Sequence, residues 1–304
     1  MSSRFLLTGA SGFLGSIIQE QLAIQEHDIF AIGRSGSGGC RKDIAKPFNF
    51  DKVNSFDFVI HAAGKAHSVP KSEEAKNEFY RVNLEGTKNL CRALDSLDQL
   101  PKGFIFVSTV AVYGVDEGSN INEQHALNGI TPYAESKVLA EKWLSHWAME
   151  NNVTLGILRL PLVVGRNPPG NLGAMIQGIK SGRYLSIGQA NARKSMVWAE
   201  DVARIIPFLG ENGGTYNLTD GHHPTFGELE AKISKAMGKK NPKKVPFWVA
   251  EKLARIGDLF GDRFPINSSK LGKITSTLTF DDSKARTELG WSPTSILSIA
   301  EKLI

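Results

Sequence analysis

The run Leu6-Leu7-Thr8-Gly9-Ala10-Ser11-Gly12-Phe13-Leu14-Gly15 constrains this chain more than any other part of it. It passes from a short apolar segment through three glycines into a helix-length stretch. A turn that tight needs residues without a Cβ, so that the backbone can approach a pyrophosphate closely. The helix that follows turns unpaired N–H groups and the positive end of its dipole toward an anion. The spacing is G-x-x-G-x-x-G rather than G-x-G-x-x-G. Glycines alone would carry little, because turns use them anyway. Placed after a first strand and opening a helix, they point to a dinucleotide held by Gly9, Ser11, Gly12, Phe13, Leu14 and Gly15.

The amino-terminal half repeats this alternation. Runs at residues 4–7, 27–32, 56–62, 103–107 and 154–158 read as strands, with helices over 13–24, 77–94 and 133–150 between them. The pattern predicts an α/β fold, a Rossmann-type doubly wound parallel sheet. Near-continuous apolar stretches such as DFVIHAA and GFIFVS fit strands buried on both faces. After Gly165 come the breaker cluster RNPPGN and a helix over 172–180. Residues 1–165 are therefore expected to form the dinucleotide-binding domain. Segments near 190–220, such as residues 196–198, are candidates to rejoin its sheet. Residues 166–304 are expected to form a smaller carboxyl-terminal substrate domain at the carboxyl edge of the strands, where open parallel sheets bind ligands.

The charge balance of 36 Lys+Arg against 31 Asp+Glu is +5, and Lys239, Lys240, Lys243 and Lys244 of GKKNPKK account for all but one of that excess. Pro242 in their midst argues for a solvated loop, and without interleaved aromatics they do not suggest nucleic acid. A basic rim for an anionic substrate stays open. Hydrophobic residues at 41% and charged residues at 22% exclude extensive disorder. No apolar run approaches the roughly 18 residues of a membrane span. The opening MSSRFLLTGASGFLG lacks a signal peptide's apolar stretch, so a cytoplasmic protein is expected. Two cysteines, Cys40 and Cys91, and the adjacent pair His222-His223 make neither a disulfide framework nor a metal site.

Chemistry-bearing candidates follow from spacing. Tyr133 and Lys137 stand at i and i+4 on one helix face after Pro132. A phenol of ordinary pKa about 10 is a poor base near neutrality. A neighbouring ammonium favours the phenolate and brings it into range for proton transfer with a carbinol or ketone. Ser108-Thr109 end a strand and could offer a hydroxyl to a reacting oxygen. At the end of the second strand, Ile32-Gly33-Arg34 has arginine where an acidic residue would select NAD, which favours NADP. His61 reads as a core histidine, Cys91 as packing, and Trp143, Trp147, Phe247 and Trp248 as core or interface.

Taken together, TGASGFLG, VIHAAG, RVNLEGTKNL, VSTVAVYG, PYAESK, RLPLVVG and FDDSKARTELGWSP resemble, in order and over nearly the whole chain, the extended short-chain dehydrogenase/reductase family. Within it, the likeness is to NAD-dependent epimerase/dehydratase proteins that act on nucleotide sugars. The resemblance implies Tyr133 as acid/base, Lys137 as the group that holds ribose and tunes the tyrosine, and Thr109 as the hydroxyl on the sugar oxygen. It also implies that Ala62, Ala63, Gly64, Ser108 and Pro161 contact the cofactor, NAD or NADP, that Asn83 braces the segment beneath it, and that Asp43-Ile44 meet adenine. Asn171 and Leu172 would meet the diphosphate of a UDP-linked sugar, with Arg193 or Lys194 as its cation. Leu185 to Ile187 would lie near the base. Relatives dimerise through the helices at 77–94 and 133–150, so a homodimer is implied as well.

Departures from the family narrow the reaction. A 4,6-dehydratase needs an acid and a base directly after the threonine, and Val110 and Ala111 stand there. An epimerase or an NADPH-dependent 4-keto-6-deoxy-sugar reductase remains, at C4 of a UDP-hexose or UDP-N-acetylhexosamine. A third alternative, a non-catalytic NAD(P)-binding sensor, is disfavoured because Thr109, Tyr133 and Lys137 are all kept.

Overall fold

A computed structural model of the chain describes residues 2–34, 39–51, 53–66, 70–260 and 266–304. His67-Ser68, which follow VIHAAG, lie outside them. Among the described residues, seven strands form one parallel sheet. In chain order they are β1 (Arg4–Thr8), β2 (Asp28–Gly33), β3 (Gly39–Arg41), β4 (Phe58–His61), β5 (Gly103–Thr109), and the later β7 (Thr154–Leu160) and β11 (Gly214–Asn217). Their spatial order is β11-β7-β5-β4-β1-β2-β3. The strand order reverses beside β1, and the crevice at the carboxyl ends there is where such sheets bind ligands.

Period-two alternation sorts the core. Phe5, Leu7, Ile60 and Ile105 face one layer with Ile18 and Leu22 of helix α1 (Phe13–Ile24). Leu6, Val59, Phe104 and Phe106 face the other, against Leu90, Leu94, Leu144 and Trp147. With both faces covered, the strands need no polar side, which accounts for their continuous apolar runs. The second layer is built by α2 (Glu73–Phe79), a π-helical turn over Tyr80–Glu85, α3 (Gly86–Leu94) and α4 (Pro132–Glu150). Helix α4 starts where it does because Thr131 accepts the Ala134 N–H at 3.2 Å and Pro132 occupies the first turn.

The remaining elements include β6 (Gly118–Ile121), β8 (Leu162–Val164), α5 (Gly170–Lys180), β9 (Leu185–Ile187), β10 (Met196–Trp198), α6 (Ala199–Asn212), which packs with α1 on the first face of the sheet through Val202, Ile206 and Leu209, and α7 (Phe226–Ala236). After these come β12 (Lys243–Val245), α8 (Phe247–Phe260), α9 (Ser268–Thr275), β13 (Leu278–Phe280) and α10 (Ser283–Leu289). Of the segments between 190 and 220, Gly214–Asn217 adds an edge strand to the main sheet. Met196–Trp198 does not join it. Those residues pair with Leu162–Val164 in a separate parallel ladder. The lysine-rich passage is likewise not all loop, because Lys243–Val245 pair with Leu185–Ile187 as strands. Its lysines are nonetheless exposed, as expected.

Candidate active site

The glycine loop has the geometry its spacing implies. Gly9 has φ +78°, a left-handed conformation, and a Cβ there would sit 2.6 Å from the Ala63 nitrogen. A Cβ on Gly15 would sit 2.0 Å from the Gly9 carbonyl oxygen. The turn closes with Gly12 N–H donating to Gly9 O at 2.9 Å, and Gly12 caps α1 with no side chain on the helix's first N–H groups. Those donors and the dipole are left without a side-chain cap, an arrangement suited to an anion. Gly9→Ala is expected to cost about 1–3 kcal/mol in backbone strain alone and to weaken dinucleotide binding. Paired thermal melts and cofactor titrations would check this. Unchanged affinity would mean that the loop does not hold the cofactor.

Ala62, Ala63 and Gly64 continue β4 along the same crevice. A Cβ on Gly64 would lie 3.2 Å from Asn83 Oδ1 and 3.6 Å from Lys137 Nζ, so this segment runs directly over both. Asn83 is buried in the π-helical turn. It accepts from Lys65 N at 2.7 Å, donates to Lys65 O at 3.1 Å and donates to Ser136 Oγ at 2.9 Å. A π turn inside a helix is uncommon and often marks a functional position; here it lets one amide tie the loop to α4. His61 is a core residue, between the hydroxyls of Thr8 at 2.7 Å and Thr87 at 3.0 Å. Burial, with Lys137 adding to it, pushes its pKa down to about 3.

Val107 and Ser108 of β5 each hold one turn of α4, and Thr109 follows them beside a third. The Thr109 hydroxyl accepts the Ala111 N–H at 3.2 Å and lies near enough to the Tyr133 phenol to act on its pKa. Val107 O accepts from Lys137 Nζ at 2.8 Å, and that ammonium sits 4.3 Å from the Phe106 ring centre. The Ser108 hydroxyl donates to Glu141. Burial raises the Tyr133 pKa above its usual 10, with the nearby Thr109 hydroxyl opposing. Burial also lowers Lys137 from 10.5 to about 8, with Glu141 opposing. The group that favours the phenolate here is thus Thr109, while Lys137 is anchored one turn behind it. The Ser108 side chain is directed to Glu141.

The other candidates stand on several different elements. Arg34 is exposed, close enough to Glu78 to help hold that carboxylate below its ordinary pKa, though Lys65 does most of this. Asp43 caps its own turn through Ala45 N at 3.1 Å. Ile44 is buried against Gly86, and its carbonyl accepts from Asn89 at 3.0 Å. Pro161 links β7 to β8 and is half-buried. Asn171 is exposed on the first turn of α5, whereas the Leu172 side chain belongs to the core with Val164 and Trp198. Arg193 donates to His223 O at 2.9 Å and pairs with Glu228 at 3.8 Å. Lys194 is half-buried; burial lowers its pKa, Asp116 opposes, and Lys273 adds to the lowering.

Sequence reasoning missed the buried network behind the tyrosine. Glu141 takes Arg159 in a two-pronged pair, Nη2 at 2.8 Å and Nε at 3.2 Å. Arg159 also donates to the Tyr113 hydroxyl at 3.3 Å, and Tyr113 donates to Asn217 Oδ1 at 2.7 Å. The available signal was Glu141 itself, a further i+4 step along the face of Tyr133 and Lys137. Among the described residues no group of three or more His, Cys, Asp or Glu side chains could hold a metal ion.

The glycine cradle, the open start of α1 and the loop over Lys137 fit a nicotinamide dinucleotide by shape and charge. Fold and site together define a dinucleotide-binding enzyme of the doubly wound α/β class. The chain belongs to the NAD dependent epimerase/dehydratase family, whose model matches residues 5–219. It is 26% identical over 301 residues to an N-acetyl-α-D-glucosaminyl-diphospho-ditrans,octacis-undecaprenol 4-epimerase of Escherichia coli O157:H7, covering 93% of this chain and 89% of that one. It is 27% identical over 316 residues to a UDP-glucose 4-epimerase of Vibrio cholerae, covering 96% and 92%. In fold it is similar to a UDP-N-acetylglucosamine 4-epimerase from Bacillus cereus, with TM-score 0.76, 20% identity, and 99% and 94% of the two chains covered.

Proposed function

We propose that this protein transfers hydride at C4 of a UDP-hexose or UDP-N-acetylhexosamine, with Tyr133 as acid/base, and that it works as a 4-epimerase. The observation that carries this reading is Tyr133 beside Thr109 with Lys137 Nζ one turn behind it, at the carboxyl edge, where the Gly64 segment passes over Lys137 and Gly9 packs on Ala63. A bound NAD or NADP supplies the hydride acceptor or donor. Tyr133 takes the proton from a C4 hydroxyl, or returns it, while Thr109 orients that oxygen through a hydroxyl whose acceptor side is already held by Ala111. Lys137 supplies positive charge under the ribose side of the crevice. The relatives named above are by name 4-epimerases of sugars carried on a diphosphate, two on UDP and one on undecaprenol.

Lys194, rather than Arg193, is the cation we assign to the diphosphate. Arg193 is already engaged by the His223 carbonyl and Glu228, whereas Lys194 stands between Asp116 and Lys273, and an arriving anion would relieve the repulsion from Lys273. A homodimer through α3 and α4 and a cytoplasmic location belong to the same reading. A cavity of 430 Å³ lined in part by Leu84, Leu139 and Trp143 offers apolar surface between those helices. Val110 and Ala111 follow Thr109 in a 3₁₀ turn and have no proton to move, which sets dehydration aside.

The test is NMR of UDP-glucose and UDP-N-acetylglucosamine incubated with the protein, with and without added cofactor. A C4 epimer formed without net cofactor change supports the proposal. Consumption of NADPH only with a 4-keto-6-deoxy sugar nucleotide would replace it with the reductase, the reading Arg34 favours. Dinucleotide binding with no turnover of either class would leave a sensor.

A further inference from the structure

We propose that the outer face of α8, with the lysines that lead into it, is a docking surface for anionic phospholipid bilayers. This does not depend on the catalytic reading. Helix α8 packs on its neighbours through small residues: Ala250 and Ala254 are buried with Leu271 of α9, and Gly257 is buried one turn further on. At 3.6 residues per turn, the opposite face carries Trp248, Lys252, Arg255, Ile256 and Leu259. The helix thus leaves its large apolar side chains in water, with Leu259 84% and Trp248 60% exposed. A surface helix of a soluble protein normally does the reverse.

Among the described residues, the charged side chains on that face itself are the cations Lys252 and Arg255. Lys252 Nζ sits 5.2 Å from the Trp248 ring centre. The two acidic residues of α8 lie toward its flank and are engaged, Glu251 with Arg255 at 2.8 Å and Asp258 with Ser268 at 2.6 Å. The chain enters α8 directly from Lys239, Lys240, Lys243 and Lys244, all exposed. Lys244 lies near Glu230. These are the four residues that make up nearly all of the chain's excess positive charge.

An exposed tryptophan and aliphatic side chains set among cations are what an interfacial helix presents to lipid. The ring rests at headgroup level, the aliphatic groups enter the acyl boundary, and lysines meet the negative leaflet. Charge complementarity selects this occupant over a second copy, since two such faces docked together would oppose the same lysines. The helix is 14 residues long and would lie in the interface plane. Among the described residues no helix is long and apolar enough to cross a membrane, so the contact is peripheral.

The experiment is co-sedimentation of the full chain with vesicles of phosphatidylglycerol and phosphatidylcholine, compared with phosphatidylcholine alone. Partitioning onto the anionic vesicles is expected to exceed that onto the neutral ones by about tenfold or more and to be lost at high salt. Trp248→Ser with Leu259→Ser, and separately Lys243→Glu with Lys244→Glu, are each expected to reduce it by about tenfold. Both pairs are exposed, so circular dichroism should match the parent. Equal partitioning onto neutral vesicles, no partitioning at all, or variants that bind like the parent would overturn the proposal. So would a Trp248→Ser/Leu259→Ser change that leaves lipid binding intact and instead dissociates an oligomer, or lysine-dependent capture of an acidic protein without lipid binding.

Discussion

Tyr133→Phe is expected to lower kcat by about two to four orders of magnitude, the range over which a positioned acid or base contributes, while the fold and the dinucleotide affinity stay nearly unchanged. The ring keeps its place, because the contact with Phe79, at 6.2 Å between centres, and the capped start of α4 do not involve the phenol oxygen. Only the proton-transferring atom is removed. Burial holds the phenol above its ordinary pKa, with Thr109 as the opposing influence. The oxidising direction, which needs the phenolate, should therefore gain rate as pH rises, and the reducing direction should lose it. Single-turnover measurements on a sugar nucleotide that the parent converts would check both. Activity within about tenfold of the parent would assign the proton to another group.

Breaking the Glu141–Arg159 pair should produce the largest loss of stability. Both side chains are nearly inaccessible, at 3% and 8%, so either one alone would be a buried, uncompensated charge. Glu141→Ala is expected to cost about 3–5 kcal/mol. That is a large share of the roughly 5–15 kcal/mol that holds a domain together. It would also strand the Ser108 hydroxyl and remove the negative charge that partly supports the buried Lys137 ammonium. Replacing both partners by methionine should cost much less than either single change, because an apolar pair leaves no charge in low dielectric. Denaturant midpoints for the two single variants and the double variant would decide. A single-variant loss below about 1 kcal/mol would show that water reaches the pair.

Much of the fold could be read locally. The helix expected over residues 13–24 is Phe13–Ile24, and α4 begins one residue before the expected position. Glycine spacing and i,i+4 periodicity are short-range properties, set by backbone sterics and by 3.6 residues per turn, so they survive in the linear text. Tyr133 and Lys137 belong to that class. The helix expected from residue 77 instead begins at Glu73 and runs through the π-helical turn that seats Asn83, which no apolar period announces.

The ordering of strands across the sheet, and with it the switch point at β1, depends on which apolar faces can be covered by helices. That the segments at 196–198 and 214–217 part ways, one to β8 and one to the main sheet, is likewise a matter of packing. The same holds for Tyr113 and Asn217, 104 residues apart and joined by one hydrogen bond, and for Glu141, Arg159 and Ser108, whose charges and hydroxyl meet only because β5, β7 and α4 do. The exposure of Trp248 and Leu259 was equally hidden, since apolar residues at helical spacing read as core until the helix is seen to pack through Ala250 and Ala254 instead. Local sequence settled where the chain turns, coils and can approach a phosphate. Burial of charge, and the choice of which apolar face meets which, are properties of distant segments in contact, and only the tertiary structure decided them.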